Sequence, residues 1–170
     1  MIIDLANLGS TANEIDLEFD PAEIDLEGEL IELKGKTYFK GEIERADAKG
    51  HLRGTVKADV SLDCTRCLEP IERHFEFTFR AIFVDSSHED TNAEAEVSDD
   101  ALDESLVPDG QIDMAEVIRE QLLLAVPEQI FCREDCRGLC SKCGSNLNLI
   151  DCKCADDEID PRWAALKSLK

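Results

Sequence analysis

The chain has 170 residues, eight cysteines and a formal net charge of −21, from 18 basic and 39 acidic side chains. This length suffices for one ordinary domain with an appendage, and no apolar run approaches the ~20 residues that a membrane-spanning helix needs. Since the start lacks the basic region of a secretory signal, we expect a cytoplasmic protein. The cytosol keeps thiols reduced, so a metal or thiol function is expected for the cysteines rather than disulfides.

The charge is concentrated in two segments. Residues 1–33 carry a net charge of −10 and residues 81–118 a net charge of −12, and neither segment holds Lys or Arg. Residues 34–80 and 119–170 carry +2 and −1, and they hold all eight cysteines. Because nucleic-acid phosphates attract Lys and Arg, the acid excess argues against non-specific nucleic-acid binding, but only for the two acidic segments.

The first part of the chain is predicted to form strands. Residues 15–19 alternate apolar and acidic side chains, and the pattern continues through 24–26. A period of two with one apolar face is typical of a half-buried strand, and an acidic outer face discourages edge-to-edge pairing. Residues 29–46 predict one or two further strands, with bends or bulges at Gly35 and Gly41.

A β-hairpin is the clearest prediction. Apolar side chains alternate over residues 56–64 and again over 75–83, where Phe dominates. This pattern suits two strands that contribute to a sheet core. The link between them contains Cys64-Thr-Arg-Cys67, so we expect the first CxxC pair at the tip of the hairpin.

An acidic loop and two helices follow. Residues 85–111 are rich in Ser, Asp, Glu and Asn, which predicts a long acidic loop. A helix is predicted over 113–126, with Asp113 as its N-cap and an apolar stripe on one face. A second, short helix is expected from Asp160, because this residue can cap it while Pro161 occupies its first turn.

Six further cysteines lie close together in the sequence, in the pattern Cys-x3-Cys-x3-Cys-x2-Cys-x8-Cys-x-Cys. Structural zinc takes four thiolate or imidazole ligands in a closed tetrahedron, and a CxxC turn brings two sulfurs to one ion. Gly144, directly after the second CxxC, permits the positive φ that such a turn often needs. We therefore predict one or two Zn²⁺ ions with these ligands: Cys64, Cys67, Cys132, Cys136, Cys140, Cys143, Cys152 and Cys154.

The spacing leaves two partitions of the cysteines open. In the first, Cys64 and Cys67 join Cys132 and Cys136, and the last four cysteines form a local finger. In the second, the first four cysteines of the C-terminal cluster bind together and the remaining four form the other site. The first is preferred because residues 140–154 are compact enough to close on themselves.

Other interpretations of the thiols compete with zinc. Cys64 lies on the apolar phase of its strand, where a free cysteine can serve as a small core residue. A CxxC pair can also cycle through a disulfide when its thiol pKa is depressed, so a thiol-redox switch is an alternative function. Iron–sulfur clusters use four thiolates as well, but the spacing does not match their usual patterns.

No catalytic set is visible in the sequence. His51, His74 and His88 have no Cys, Ser or Asp partner at a recognisable spacing. The chain has neither a Gly-rich phosphate loop nor a HExxH motif. We therefore expect a protein that is not an enzyme.

Four stretches of the chain form a recognisable set: residues 56–70 with Cys-Thr-Arg-Cys, residues 112–127, residues 132–148 and residues 160–163. Together they resemble the bacterial YceD family, the large ribosomal RNA subunit accumulation proteins, in its cysteine-rich branch. Ser141 stands where the family frequently has proline. The resemblance implies a role in accumulation or maturation of large-subunit (23S) ribosomal RNA, and hence in ribosome biogenesis.

The partner implied by the resemblance is a ribosomal protein, an assembly factor or the large-subunit rRNA. We expect no membrane partner, because the chain lacks a long apolar run. The acidic charge favours a basic protein partner. If RNA is bound, the candidate surfaces are two basic groups: Lys34, Lys36, Lys40, Lys49, Arg53 and Lys57, and Arg133, Arg137 and Lys142. An alternative is an acidic mimic of nucleic acid that uses residues 85–111.

Together the elements predict an α+β fold. It would be a mainly antiparallel β-sheet or partial barrel with a packed helix and a small C-terminal zinc-binding module. The β-rich domain is expected over residues 1–131 with its acidic loop and helix, and the cysteine-rich module over 132–170 with the short C-terminal helix.

Overall fold

A computed structural model describes residues 1–86 and 104–154. The short helix predicted from Asp160 and most of the predicted acidic loop lie outside these residues. Within the described ranges, no helix is both long enough and apolar enough to cross a membrane.

The chain divides into two compact units. The first unit comprises Met1–Leu62 and Pro70–Glu128, and the second combines Asp63–Glu69 with Gln129–Lys170, of which the structure describes the part up to residue 154. The second unit therefore draws its residues from two stretches that are distant in the sequence, and both stretches carry cysteines.

The described residues form eight β-strands and one α-helix. Their bounds are β1 (Ile2–Asp4), β2 (Asn13–Phe19), β3 (Ile31–Leu33), β4 (Thr37–Ala46), β5 (Lys49–Asp63), β6 (Pro70–Asp85), β7 (Glu104–Val107), β8 (Gln111–Asp113) and α1 (Met114–Leu124).

Six strands form one sheet, in the order β2-β4-β5-β6-β7, with β3 paired to β5. The β2/β4, β3/β5 and β4/β5 pairs are antiparallel, whereas β6 and β7 are parallel. Strands β1 and β8 pair separately and antiparallel. The α+β class is confirmed, and the sheet is mixed, since one of its strand pairs is parallel.

The predicted hairpin is confirmed as β5 and β6. The alternate residues of β5 from Leu52 to Leu62 point into the core, apart from Gly54, and Phe79 and Phe83 of β6 are buried with them. The link between these strands carries Cys64 and Cys67, as the sequence predicts.

Gly41 lies inside strand β4 and not at the predicted bend. It pairs with Gly54 of β5. A Cβ atom at Gly41 would clash with the backbone carbonyl of Arg53 and lie 2.7 Å from the ring of Phe39, and one at Gly54 would clash with that ring. Because the Phe39 side chain is fully buried, Gly54 is required to make room for its ring, and Gly41 is required by the backbone of strand β5 as well as by the ring.

The N-terminal strand pattern ends earlier than predicted, and residues 24–26 are not a strand. Pro21 has no N–H for a strand ladder. The chain turns at this point, where the Glu23 carboxylate accepts the backbone N–H of Asp20 at 2.7 Å. Ile24 is nevertheless buried, so its apolar character serves the core without strand geometry.

Part of the segment predicted as an acidic loop over 85–111 is regular structure, because strand β7 and the start of β8 fall within it. Val107 is buried, and Glu104 forms an ion pair with Lys49. Strand β7 is held by parallel pairing with β6, a contact that local composition does not predict. Residues 87–103 lie outside the described residues.

Helix α1 begins as predicted. The Asp113 carboxylate accepts the backbone N–H of Ala115 at 3.0 Å, which satisfies one of the free donors of the first turn. The apolar stripe is buried, and its members are Met114, Val117, Ile118 and Leu122.

Candidate metal centre

The eight cysteines are gathered into two groups of four, both in the second unit. Tetrad I is Cys64, Cys67, Cys132 and Cys136, and tetrad II is Cys140, Cys143, Cys152 and Cys154. Within each tetrad the four sulfur atoms lie within 4.8 Å of one another. This grouping is the first of the two partitions that the spacing left open. Among the described residues, no other His, Cys, Asp or Glu cluster has spacing suited to a metal ion.

The sulfur positions of tetrad I fit a tetrahedral zinc ion. A Zn–S distance of ~2.3 Å places neighbouring sulfurs ~3.8 Å apart. The Sγ atoms of Cys64 and Cys136 are 3.8 Å apart, and those of Cys67 and Cys132 are 3.6 Å apart. None of the eight cysteines is in a disulfide, so all four sulfurs of each tetrad are available to one ion.

The first CxxC is a tight turn at the hairpin tip. The backbone N–H of Leu68 donates to the carbonyl of Cys64, and the N–H of Cys64 donates to the carbonyl of Glu69, both at 2.9 Å. Leu68, which follows the second cysteine, has a φ of 58°. This conformation is unusual for a residue with a side chain.

The second CxxC repeats this turn. The N–H of Gly144 donates to the carbonyl of Cys140, and the N–H of Cys140 donates to the carbonyl of Ser145, again at 2.9 Å. Gly144 has a φ of 72°, which confirms the positive φ predicted for it. The chain thus builds the same two-sulfur turn twice, once for each tetrad.

Arg66 holds together the two stretches that form tetrad I, a role that the sequence reasoning missed. Its guanidinium donates to the carbonyl of Cys136 at 3.0 Å and lies 3.9 Å from the centre of the Phe131 ring. Its own carbonyl accepts the N–H of Leu139 at 3.0 Å. Gly138 has a φ of 75°, and a Cβ there would approach that carbonyl to 3.0 Å. The only signal in the sequence is an Arg between two cysteines.

The thiols of tetrad I have pKa values displaced in opposite directions. Burial opposes ionisation of Cys64, but backbone N–H groups of Arg66, Cys132 and Cys67 donate to its sulfur and lower its pKa to about 6. A backbone N–H at Glu69 favours the thiolate of Cys67, yet burial and the neighbouring sulfurs outweigh it and raise the pKa to about 12.

The thiols of tetrad II also have pKa values displaced in opposite directions. The hydroxyl and backbone N–H of Ser145 lower the pKa of Cys143 to about 6. The adjacent sulfur of Cys143, together with burial, raises the pKa of Cys154 to about 12. The pKa values move in opposite directions because several ionisable sulfurs lie close together. Each thiolate disfavours ionisation of the neighbouring thiol. A divalent cation at the centre would stabilise all four thiolates.

The two tetrads differ in exposure. Three of the four cysteines of tetrad I are buried, whereas two of those in tetrad II are half-buried and two are exposed. Tetrad I is therefore shielded from solvent except at Cys132, and tetrad II is more accessible to chelators and oxidants.

The basic groups considered for RNA binding are largely neutralised by acidic partners. In the first group the pairs are Lys34–Glu32, Lys36–Glu18, Lys49–Glu104, Arg53–Glu42 and Lys57–Glu76. In the second group, Arg133 pairs with Asp135 and Arg137 with Asp151. For Lys40 and Lys142, no acidic partner lies among the described residues. Most of these side chains are thus engaged within the chain.

Comparison with known proteins gives a consistent result. A sequence profile described as large ribosomal RNA subunit accumulation protein YceD matches residues 52–170. An uncharacterized protein of Mycobacterium tuberculosis is 31% identical over 98% of this chain and 79% of its own length. The uncharacterized protein YlbN of Bacillus subtilis is 30% identical over 68% of this chain and 63% of its own length.

A plant protein is also similar. The chloroplastic large ribosomal RNA subunit accumulation protein YCED homolog 1 of Arabidopsis thaliana is 35% identical over 35% of this chain and 19% of its own length. No solved structure gives a significant match. Because the family profile covers well over half of the chain and includes all eight cysteines, the chain belongs to the YceD family of large ribosomal RNA subunit accumulation proteins.

Proposed function

We propose that the chain is a non-enzymatic accessory factor for accumulation or maturation of large-subunit (23S) ribosomal RNA, acting in the cytoplasm through a zinc-binding module. Membership of the family supports the ribosomal role. The observation that supports a zinc-binding module is the grouping of the eight cysteines into two tetrads. The module would comprise the cysteine-rich segment 132–170 together with the hairpin tip that supplies Cys64 and Cys67.

The proposed role of zinc is structural. Four thiolates around one ion leave no open position for water or substrate, unlike catalytic zinc sites. Metal binding of this kind supplies ~10–16 kcal/mol towards ordering a segment too small for its own core. Tetrad I joins two stretches of the second unit that are more than sixty residues apart in the sequence.

A basic ribosomal protein or an assembly factor is the proposed partner, rather than the RNA itself. The net charge of −21 supports a basic partner, and most of the candidate cations are already paired within the chain. Among its described residues, the second unit also exposes three large apolar side chains, Leu68, Leu149 and Ile150. Exposed apolar groups favour contact with a protein over contact with phosphates.

The proposed partner class is tested by affinity purification of the tagged chain with and without digestion of RNA. We expect the partner to remain bound after digestion. Loss of the partner on digestion would instead indicate RNA contact. A matched chain with Cys140→Ser, which removes one ligand of tetrad II, reports whether the zinc module is needed for capture.

The proposed role itself is tested by depletion of the chain in its host cell. We expect the ratio of large-subunit to small-subunit rRNA to fall. Re-expression of the wild-type chain should restore the ratio, whereas an unchanged ratio after depletion would contradict a role in accumulation of large-subunit rRNA.

One observation favours a second function, a thiol-redox switch. Cys143 of tetrad II is exposed, and the pKa of its thiol is lowered to about 6, which are properties of reactive cysteines. A redox switch predicts reversible loss of free thiols under mild peroxide. Tight zinc binding should suppress that loss, so peroxide treatment of the zinc-loaded chain separates the two functions.

A further inference from the structure

Asn148 connects the two tetrads. It lies in the loop between Cys143 and Cys152 of tetrad II, yet its side-chain Nδ2 donates to the sulfur of Cys136 in tetrad I at 3.3 Å. We propose that Asn148 is a positioning residue through which a metal ion in tetrad II strengthens metal binding at tetrad I. This inference rests on the proposed zinc module.

The orientation of the Asn148 carboxamide is fixed by its neighbours. Its Oδ1 accepts the backbone N–H of Arg137 at 2.8 Å, so the NH₂ group must face the sulfur of Cys136. Its own backbone N–H donates to Oδ1 of Asn146 at 2.9 Å, and Nδ2 of Asn146 donates to the Glu69 carboxylate at 3.0 Å. The contact with sulfur is therefore directional.

The loop that carries Asn148 begins and ends at tetrad II. Residues 144–151 lie between two of its cysteines, Cys143 and Cys152. Closing a flexible loop costs conformational entropy. A metal ion in tetrad II would hold both ends of the loop, so that Asn148 no longer has to be ordered when tetrad I binds its own ion.

The effect on tetrad I follows from the chemistry of thiolate ligands. A hydrogen bond donated to a metal-bound thiolate stabilises its charge and fixes its direction, and outer partners of this kind change metal affinity by about 10–100-fold. Coupling between two binding sites is reciprocal. An ion in tetrad I should equally favour binding at tetrad II.

The test is the rate at which zinc leaves the full chain for a chromogenic chelator. Four proteins form a cycle: wild type, Asn148→Ala, a chain with Cys143→Ser and Cys154→Ser that lacks tetrad II, and the combination. Native mass spectrometry counts the ions before and during release, and in the chain that lacks tetrad II all of the release comes from tetrad I.

We expect both Asn148→Ala and the loss of tetrad II to speed release from tetrad I by about 10–100-fold. The combined chain should be no faster than either alone, because both changes remove the same contact. An Asn148→Ala chain that retains only the tetrad II ion would be the extreme form of this result.

Two further variants separate the sulfur contact from the general integrity of the loop. Asn148→Asp keeps the acceptor for Arg137 but loses the donor to Cys136, so we expect release as fast as in Asn148→Ala. Leu149→Ala changes an adjacent side chain that is 76% exposed, and we expect the wild-type rate. A slow Asn148→Asp chain, or a fast Leu149→Ala chain, would overturn the role of the sulfur contact.

Wild-type release in Asn148→Ala, or rate effects that multiply in the combined chain, would overturn the coupling and leave the zinc module intact. A wild-type chain that carries no zinc would overturn the zinc module, and the coupling with it. The two failures are therefore distinct in the same experiment.

Discussion

In both CxxC turns, the residue after the second cysteine has a positive φ. Its side chain differs between the two turns. In the second turn it is Gly144, which adopts a positive φ at little steric cost, whereas in the first it is Leu68 with a φ of 58°. The left-handed conformation costs a residue with a Cβ about 1–2 kcal/mol. The two turns are thus a matched pair for measuring what this conformation costs.

We expect Leu68→Gly to stabilise the second unit by about 0.5–1 kcal/mol, because relief of the backbone strain exceeds the extra entropy that glycine loses on folding. Little packing is lost, since Leu68 is exposed. The free energy of unfolding of the metal-loaded chain in urea provides the measurement. A marked destabilisation would show that Leu68 does not have this backbone conformation.

The opposite change is expected to destabilise the second turn. Gly144→Ala should cost about 1 kcal/mol. Apart from the residue itself and its two chain neighbours, nothing lies within 4 Å of the new Cβ, so the cost comes from the backbone conformation. Gly35→Ala is the control, because its Cβ also meets open space and its φ is not positive. Equal stability of the two variants in urea unfolding would contradict the proposed strain.

At the scale of elements, the sequence predicts the strands and the helix whose side chains follow a long periodic pattern or a local capping signal. Strands β5 and β6 follow from alternation over many residues, and α1 follows from the Asp113 cap and its apolar stripe. Strands β1, β7 and β8 have only three or four residues, too few for a period to appear, and each is held by a partner distant in the sequence. Such strands leave no local signal.

The turn between β4 and β5 gives a prediction at this scale. Its central residues, Asp47 and Ala48, have φ values of 50° and 65°, as in the type I′ hairpin turns that favour Asn-Gly or Asp-Gly. We expect Ala48→Gly to stabilise the first unit by about 0.5–1 kcal/mol. A shift of the urea midpoint to higher concentration would confirm it, and a lower midpoint would contradict it.

At the scale of the whole molecule, the sequence predicts that the cysteines bind metal but leaves their partition open. Spacing alone allows Cys132 and Cys136 to join either Cys64 and Cys67 or the next CxxC pair. The arrangement depends on contacts between distant stretches, such as those of Arg66 with the chain after residue 130. No local pattern encodes these contacts, so only the folded structure distinguishes the two partitions.

We propose that each tetrad holds one structural zinc ion. Elemental analysis of the chain purified without chelator tests this proposal. We predict two zinc ions per chain in the wild type, and one ion with a less ordered tail in Cys140→Ser, because tetrad II loses a ligand while tetrad I keeps all four. A wild-type chain without zinc, or a Cys140→Ser chain with unchanged metal content and unchanged folding of the tail, would contradict two structural zinc sites.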